Sequence, residues 1–375
     1  MDCYCKFLPR HPIFGAALAI FILACGGGGG NTVPVVQPMD FVATGAMAAP
    51  RVGHTATRLL NNQVLIAGGR NAVGTLTTAE LYNASSGQFT ATGPMTEIRT
   101  DHTATLLANG KVLLVGGSGV DTILSSAIVY DPSTGAFSPT GSMNHPRRYH
   151  LATLLSDGKV LITGGNSYYH IANNDFLSSA ELYDPTTGQF TFTGQLSTPK
   201  AFHTSTLLNT GKVLITGGGA NALWLTTTEL YDPSTGSFSL SGPLGAARMA
   251  HTATRLPDGR VLVAGGSSRS IDTQRTEIYE PSTGTFTFAA SLTAEREMHT
   301  AELLSNGKIL LIGGSYASRL LPSGDLFNPS TLNYSSTGLM IKPRMNHTST
   351  VLSTGRVLIV GGNDQTGFIS IAELY

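Results

Sequence analysis

The three cysteines, Cys3, Cys5 and Cys25, all fall within the first 25 residues, so no disulfide can join any two positions from Gly26 to Tyr375. That stretch must be held by its core alone. Charged residues are only 12% of the chain, the formal net charge is zero and no run of like charge occurs. A nucleic-acid partner would require a basic face for phosphates, so none is expected. Tryptophan occurs once, at Trp224. The apolar run from Ile13 to Ala24 falls well short of the roughly 20 residues of a bilayer-spanning helix. What is abundant is glycine, 44 residues in 375, a balance that suits a β-rich protein with many turns.

Lys6 and Arg10 precede that short apolar run, the pattern of a signal-peptide core. It ends in Phe21-Ile22-Leu23-Ala24-Cys25-Gly26, which resembles the bacterial lipobox. The resemblance implies that residues 1–24 are removed and that Cys25 carries acyl chains, palmitate among them, on sulfur and nitrogen. Several chains, at ~0.8 kcal/mol per buried CH₂, make a stable membrane anchor where one would be marginal. A plain secretory signal with a chance cysteine is the alternative. Residues 25–38, beginning with five glycines after the cysteine, read as a flexible and then proline-stiffened linker. Gly26 replaces the aspartate that lipobox analogy associates with inner-membrane retention. The expected location is therefore extracytoplasmic, on a bacterial outer membrane or cell surface.

From there on, one unit repeats. His54, His102, His150, His203, His251, His299 and His347 are separated by 48, 48, 53, 48, 48 and 48 residues. Glycine pairs keep the same rhythm from Gly68-Gly69 to Gly361-Gly362. A fixed period near 50 is that of propeller blades. Each unit offers four strands, labelled a to d from the axis outward. Asn109-Gly110, Asp157-Gly158, Asp258-Gly259 and Asn306-Gly307 supply residues that tolerate positive φ in the a–b hairpins. Asp-Pro-Ser-Thr-Gly segments form the c–d turns. Strand b is apolar without alternation, so both of its faces must be covered. The double glycine that ends it lets another backbone or a large ring come close.

These units resemble the kelch repeat: a double glycine, a tyrosine about 13 residues later and an aromatic in the last strand. The tyrosine position holds Tyr82, Tyr130, Tyr183, Tyr231, Tyr279, Phe327 and Tyr375, and the last-strand aromatic is Phe or Tyr where kelch repeats carry Trp. The resemblance implies an all-β, seven-bladed propeller of four-stranded antiparallel blades over residues 39–375. The seventh unit ends at Tyr375 without a strand d. Phe41-Val42-Ala43-Thr44-Gly45-Ala46-Met47 matches Phe89 to Met95 position for position, and so is expected to supply that outer strand and close the ring.

Variation gathers on the face formed by the b–c and d–a connections, where specificity commonly resides. The one insertion, five residues, lies in the third b–c loop, between Asn166 and Phe176. With Trp224 in the next blade, it clusters Tyr168, Tyr169, His170, Phe176 and Trp224, flat amphipathic rings suited to a glycan, peptide or aromatic ligand. The same rings could simply pack the long loop onto its neighbour.

Three residues before each histidine stands a base (Arg51, Arg99, Arg147, Lys200, Arg248, Arg296, Arg344). Two before the tyrosine position stands an acid (Glu80, Glu181, Glu229, Glu277, Asp325, Glu373), with Ile128 breaking the set. Repeated ion pairs explain this, and would leave one arginine near Ile128 without a partner. A ring of bases recruiting an anion is the other reading. The histidines are expected to bond neighbouring strands rather than gather a metal, whose ligands must converge within about 2 Å of one point. Glu302, replacing a threonine of the repeat, either enters the channel or pairs locally.

Copper oxidases of this fold use a tyrosine cross-linked to cysteine, which residues 26–375 cannot supply, and sialidase Asp boxes are absent. No cofactor, metal or catalytic residue is expected. The favoured function is a membrane-anchored, monomeric binding module whose b–c loops take a glycan or protein. The alternative is a periplasmic sugar-acting enzyme like the kelch-type sialic-acid mutarotases. An apolar loop patch would favour the binder, and an asymmetric cluster of acid, base and aromatic at the channel would favour the enzyme.

Overall fold

The computed structural model describes residues 41–168, 175–268 and 271–375. The leader and linker expected over residues 1–38 lie outside the described residues, as do Tyr169 and His170. The remainder forms seven four-stranded antiparallel sheets, with two short hairpins and one 3₁₀ turn at Ile271–Gln274 added to the loops. Blade one is Thr55–Arg58, Gln63–Ala67, Ala79–Asn83 and Gln88–Ala91, in that spatial order. The innermost strands follow one another around the axis, and Thr55–Arg58 lies against Thr348–Val351 to complete the circle.

The seventh blade runs Thr348–Val351, Val357–Val360, Ile371–Leu374 and then Val42–Ala46. Val42 pairs with Leu374 and Ala43 with Glu373, as the match of Phe41–Met47 to Phe89–Met95 anticipates. The seam reproduces the side-chain packing of an ordinary blade. Phe41 meets Tyr375 with ring centroids 5.1 Å apart, beside 4.9 Å for Tyr82 and Phe89 within blade one.

Strand b is buried along its length in every blade except at Gln63, the first residue of blade one's, Val112–Val115 being typical. One apolar layer fills each blade-to-blade gap. Leu65 and Ala67 meet Val112 and Leu114 between blades one and two. Val64 and Ile66 meet Leu358 and Val360 across the closure.

The double glycine has φ near +60° and then near +90° to +100° in all seven units, a region that favours glycine. The close approach expected there is made by both kinds of group. A Cβ on Gly68 would stand 2.5 Å from the Arg99 carbonyl oxygen and 2.9 Å from the His102 ring of the next blade. The a–b hairpins differ from expectation in one respect. At Asn109-Gly110 only Gly110 takes positive φ, and Asn109 instead uses Oδ1 to accept from the Lys111 N–H.

A second tie between blades was not foreseen. The Tyr82 hydroxyl bonds Thr44 Oγ1 on the outer strand of the preceding blade at 2.9 Å, and Tyr130, Tyr183, Tyr231 and Tyr279 repeat the bond with Thr92, Thr140, Thr193 and Ser241. Phe327 has no hydroxyl, and the corresponding position in the blade before it is Ala289, which packs against that same apolar layer. Donor and acceptor are missing together, so neither is left buried and unpaired.

Candidate functional site

The repeated polar residues are scaffold. Six base–acid pairs close within their own blades at 2.5–3.1 Å, from Arg51–Glu80 to Arg344–Glu373. Each of these bases is fully buried or nearly so, which removes the reading of a basic ring open to an anion. Arg51 also donates to the carbonyl of Gly68, and Glu80 accepts the backbone N–H of Ala48, so the pair ties strand c to the double glycine and to the incoming loop. Blade two corrects the expectation of an unpartnered arginine. Arg99 pairs with Glu97, two residues upstream, at 2.7 Å. That carboxylate is about a third exposed (36%), and burial pulls Arg99 down to about 10 against its attraction.

Every histidine bonds the blade before it, as expected. His102 Nε2 meets Thr55 Oγ1 at 3.1 Å, and His54 meets Thr348 at 3.0 Å across the closure. Blade three carries Leu151 where the others have threonine or its equivalent, and His203 bonds Thr163 on strand b instead, at 2.9 Å. Burial, reinforced by the neighbouring bases, pushes His54 down to about 3, so these rings stay neutral. Glu302 does both things the sequence allowed. It lines a channel cavity of about 400 Å³, and it accepts from Ser349 Oγ of the next blade at 2.7 Å. Burial raises its pKa.

Beyond the double glycines, a short upper tier continues the sheets on the loop face. Bridges link Arg148 to Asn166 to Phe176 in blade three, and Ala201 to Gly219 in blade four, where Gly219 pairs with Trp224. Phe176 and Trp224 thus hold equivalent positions in adjacent blades, both half-buried. Tyr168 is exposed, and its carbonyl accepts from Arg148 Nη2 at 3.5 Å. Exposed apolar side chains occur on b–c loops of blades one, two, four and six as well: Val73, Val120, Leu223 and Tyr316.

Sequence reading missed the residues nearest the channel mouth. The position just before each histidine takes φ between 53° and 63° in all seven blades: Gly53, Asp101, Tyr149, Phe202, Ala250, Met298 and Asn346. Their backbones form a belt, with the Asp101 N–H donating to Gly53 O at 2.9 Å and the Ala250 N–H to Phe202 O at 3.0 Å. The signal was available: the backbone role is constant, yet the residue differs in every unit.

One sector of this ring is chemically distinct. The Asp101 carboxyl, raised by burial, is drawn back by Arg70, Arg148 and a hydrogen bond from Tyr149. Burial pushes the Tyr149 hydroxyl up to about 12, and the Asp101 charge adds to that. The Arg148 guanidinium lies 5.0 Å over the Tyr149 ring, and Tyr149 and Phe202 stack at 4.4 Å. Gly53 makes room: a Cβ there would stand 2.7 Å from Asp101 Oδ1 and closer still to Thr100 Oγ1.

Fold and site together define a seven-bladed kelch-type propeller. The KLHDC2/KLHL20/DRC7 Kelch-repeats domain matches residues 53–266, and the chain belongs to the kelch-repeat family. Among curated proteins none matches the chain in sequence. Among solved structures, it is similar to a fungal alcohol oxidase of the AA5 family in complex with copper, at 18% identity and TM-score 0.71, over 90% of this chain and 76% of that one. It is also similar to YjhT, at 15% identity and TM-score 0.61, over 78% of this chain and 99% of that one. These likenesses concern the fold. Among the described residues no three His, Cys, Asp or Glu side chains converge on one point.

The buried pairs make a prediction. Glu181→Gln leaves Arg147 charged and uncompensated and should cost about 3–5 kcal/mol in urea unfolding. Glu97→Gln, at a partly hydrated carboxylate, should cost less than half as much. Equal losses would contradict the assignment.

Proposed function

We propose that this protein is an extracytoplasmic binding module, held to a membrane by lipid on Cys25, whose loop face engages a glycan. The observation that carries this reading is the juxtaposition of aromatic and apolar side chains on the b–c loops of blades three and four. Phe176 and Trp224 stand at equivalent positions of adjacent blades, and Tyr168 and Leu223 are exposed beside them. Half-buried rings held by a sheet tier present fixed flat surfaces, which suits the C–H faces of sugar rings at little entropic cost. A glycan array is the test. Binding to at least one glycan is expected, falling about tenfold or more in Trp224→Ala, since one stacked ring supplies that much. An empty array, or binding indifferent to Trp224→Ala, overturns the glycan reading.

The anchor rests on residues 21–26 and has its own test. Palmitate labelling of the expressed chain should be lost in Cys25→Ala, with release from the membrane fraction. Labelling that persists would exclude it.

A sugar-acting enzyme is the second reading, and the Asp101–Arg148–Tyr149 cluster is the observation that favours it. A buried carboxyl with a raised pKa beside a phenol and guanidinium groups is a arrangement found where protons are moved. Conversion of an array-positive sugar, followed by NMR and abolished in Asp101→Asn, would establish turnover. A sugar that is bound and left unchanged would exclude it.

A further inference from the structure

We infer that the channel cavity beside Glu302 is a binding site for an alkylammonium ion, supplied by a free aliphatic amine or a lysine side chain, with its charged head on the Glu302 carboxylate. The inference is independent of the glycan reading, because Glu302 stands on the inner strand of blade six and not on the loop face.

Glu302 is an exception in the repeat. It is the third residue of its inner strand, a position where the six other blades carry threonine, Thr153 and Thr350 among them. Thr153 bonds the Ser205 hydroxyl of the next blade, and Glu302 makes the corresponding contact with Ser349 Oγ at 2.7 Å. A threonine would therefore meet the structural need, and the carboxylate adds a charge that this tie does not require. Six acids on strand c meet a base at 2.5–3.1 Å, whereas Glu302 meets none. What acts on it is burial, which raises its pKa, and the Ser349 bond. The exposed bases of the inner strands, Arg58 and Arg255, donate instead to the Val351 carbonyl and to Asn209 Oδ1.

Space for a ligand lies at the carboxylate itself. Glu302 lines the channel cavity of about 400 Å³, a volume within the range of small-molecule sites. Its Oε1 accepts from Ser349, while Oε2 has no partner among the described residues and is not sealed from solvent, so it opens on that cavity. The lining then selects the ligand. An ionised carboxylate only accepts hydrogen bonds, so the group placed on it must donate. No lysine or arginine lines the cavity, and burial holds the rings of His54, His299 and His347 neutral, so nothing there attracts an anion. Calcium or magnesium would need about six oxygen ligands, whereas the four threonine hydroxyls of the lining are each engaged with a histidine ring. An ammonium head needs the one carboxylate and brings three donors of its own. Ala56, Ala104 and Ala301 offer methyl groups against which its alkyl stem can lie.

The experiment is titration of the full chain with butylamine, diaminobutane and the capped peptide Gly-Lys-Gly, beside butanol, butyrate and calcium chloride, read by saturation-transfer NMR and calorimetry. At least one of the three amines should bind, and the other three compounds should not. Tighter binding of a free amine than of the peptide would identify a small molecule as the ligand, and the reverse a lysine side chain. Glu302→Gln and Glu302→Thr should each weaken the amine about tenfold or more, the loss expected for a hydrogen bond to a charged group. Trp224→Ala should leave it unchanged. Glu302→Thr restores the residue of the six other blades, so it should fold and keeps the test valid if Glu302→Gln melts early. Binding of none of the amines, binding of butyrate or calcium in their place, or equal binding by Glu302→Thr overturns the inference. Array binding that depends on Trp224 would still stand in that event, so the two failures are distinguishable.

Discussion

The structure depends on a missing atom. Where strand b ends, the first of two glycines lets the next blade bring the carbonyl of its base and its histidine ring against the backbone, and the second lets the unit's own inner strand come equally close. From that contact the other ties follow in order. The histidine reaches a threonine on the preceding inner strand, the base of the same unit clamps the first glycine's carbonyl, and the acid on strand c holds the base. Charges buried in this way are costly unless fully paired, and here each arginine has both a carboxylate and backbone acceptors, while Lys200 has the Glu229 carboxylate and the Thr227 hydroxyl. Repeating the contact seven times produces a closed ring with no disulfide.

A ring so constrained fixes the backbone of its loops without fixing their side chains. The residue before each histidine shows this most clearly. Seven different residues adopt one left-handed conformation that costs a non-glycine residue roughly 1 kcal/mol or more. Blade packing enforces the conformation, which leaves chemistry at the channel mouth free to vary. Asp101, Tyr149 and Phe202 use that freedom on one side of the opening, and Phe176 and Trp224 stand two bridged segments further out.

Fold and seam were legible because they are written as repetition. Double glycines, histidines and the tyrosine position recur at fixed intervals, and the closing strand is a displaced copy of its own kind. Local substitutions were harder to read. Glu97 replacing the acid missing at Ile128, and Thr163 replacing the threonine missing at Leu151, are neighbours only after folding. The mouth cluster was hidden for the same reason: Arg70, Asp101 and Arg148 belong to three blades, and no spacing in the sequence joins them. The long third loop drew attention by its length, whereas the position before each histidine varies without changing the period.

The central claim is that blades are joined through space that the first glycine of each pair leaves. Two alanine substitutions at glycines of similar backbone conformation test it most directly. Gly116 has φ +60° and lies against the Arg147 carbonyl and His150 ring, whereas Gly158 has φ +86° with nothing within 4 Å of an added Cβ. Gly158→Ala should cost only the strain of the left-handed conformation, about 1–2 kcal/mol in urea unfolding. Gly116→Ala should cost at least about 2 kcal/mol more, because the neighbouring blade must move. Equal losses in the two variants would contradict the account.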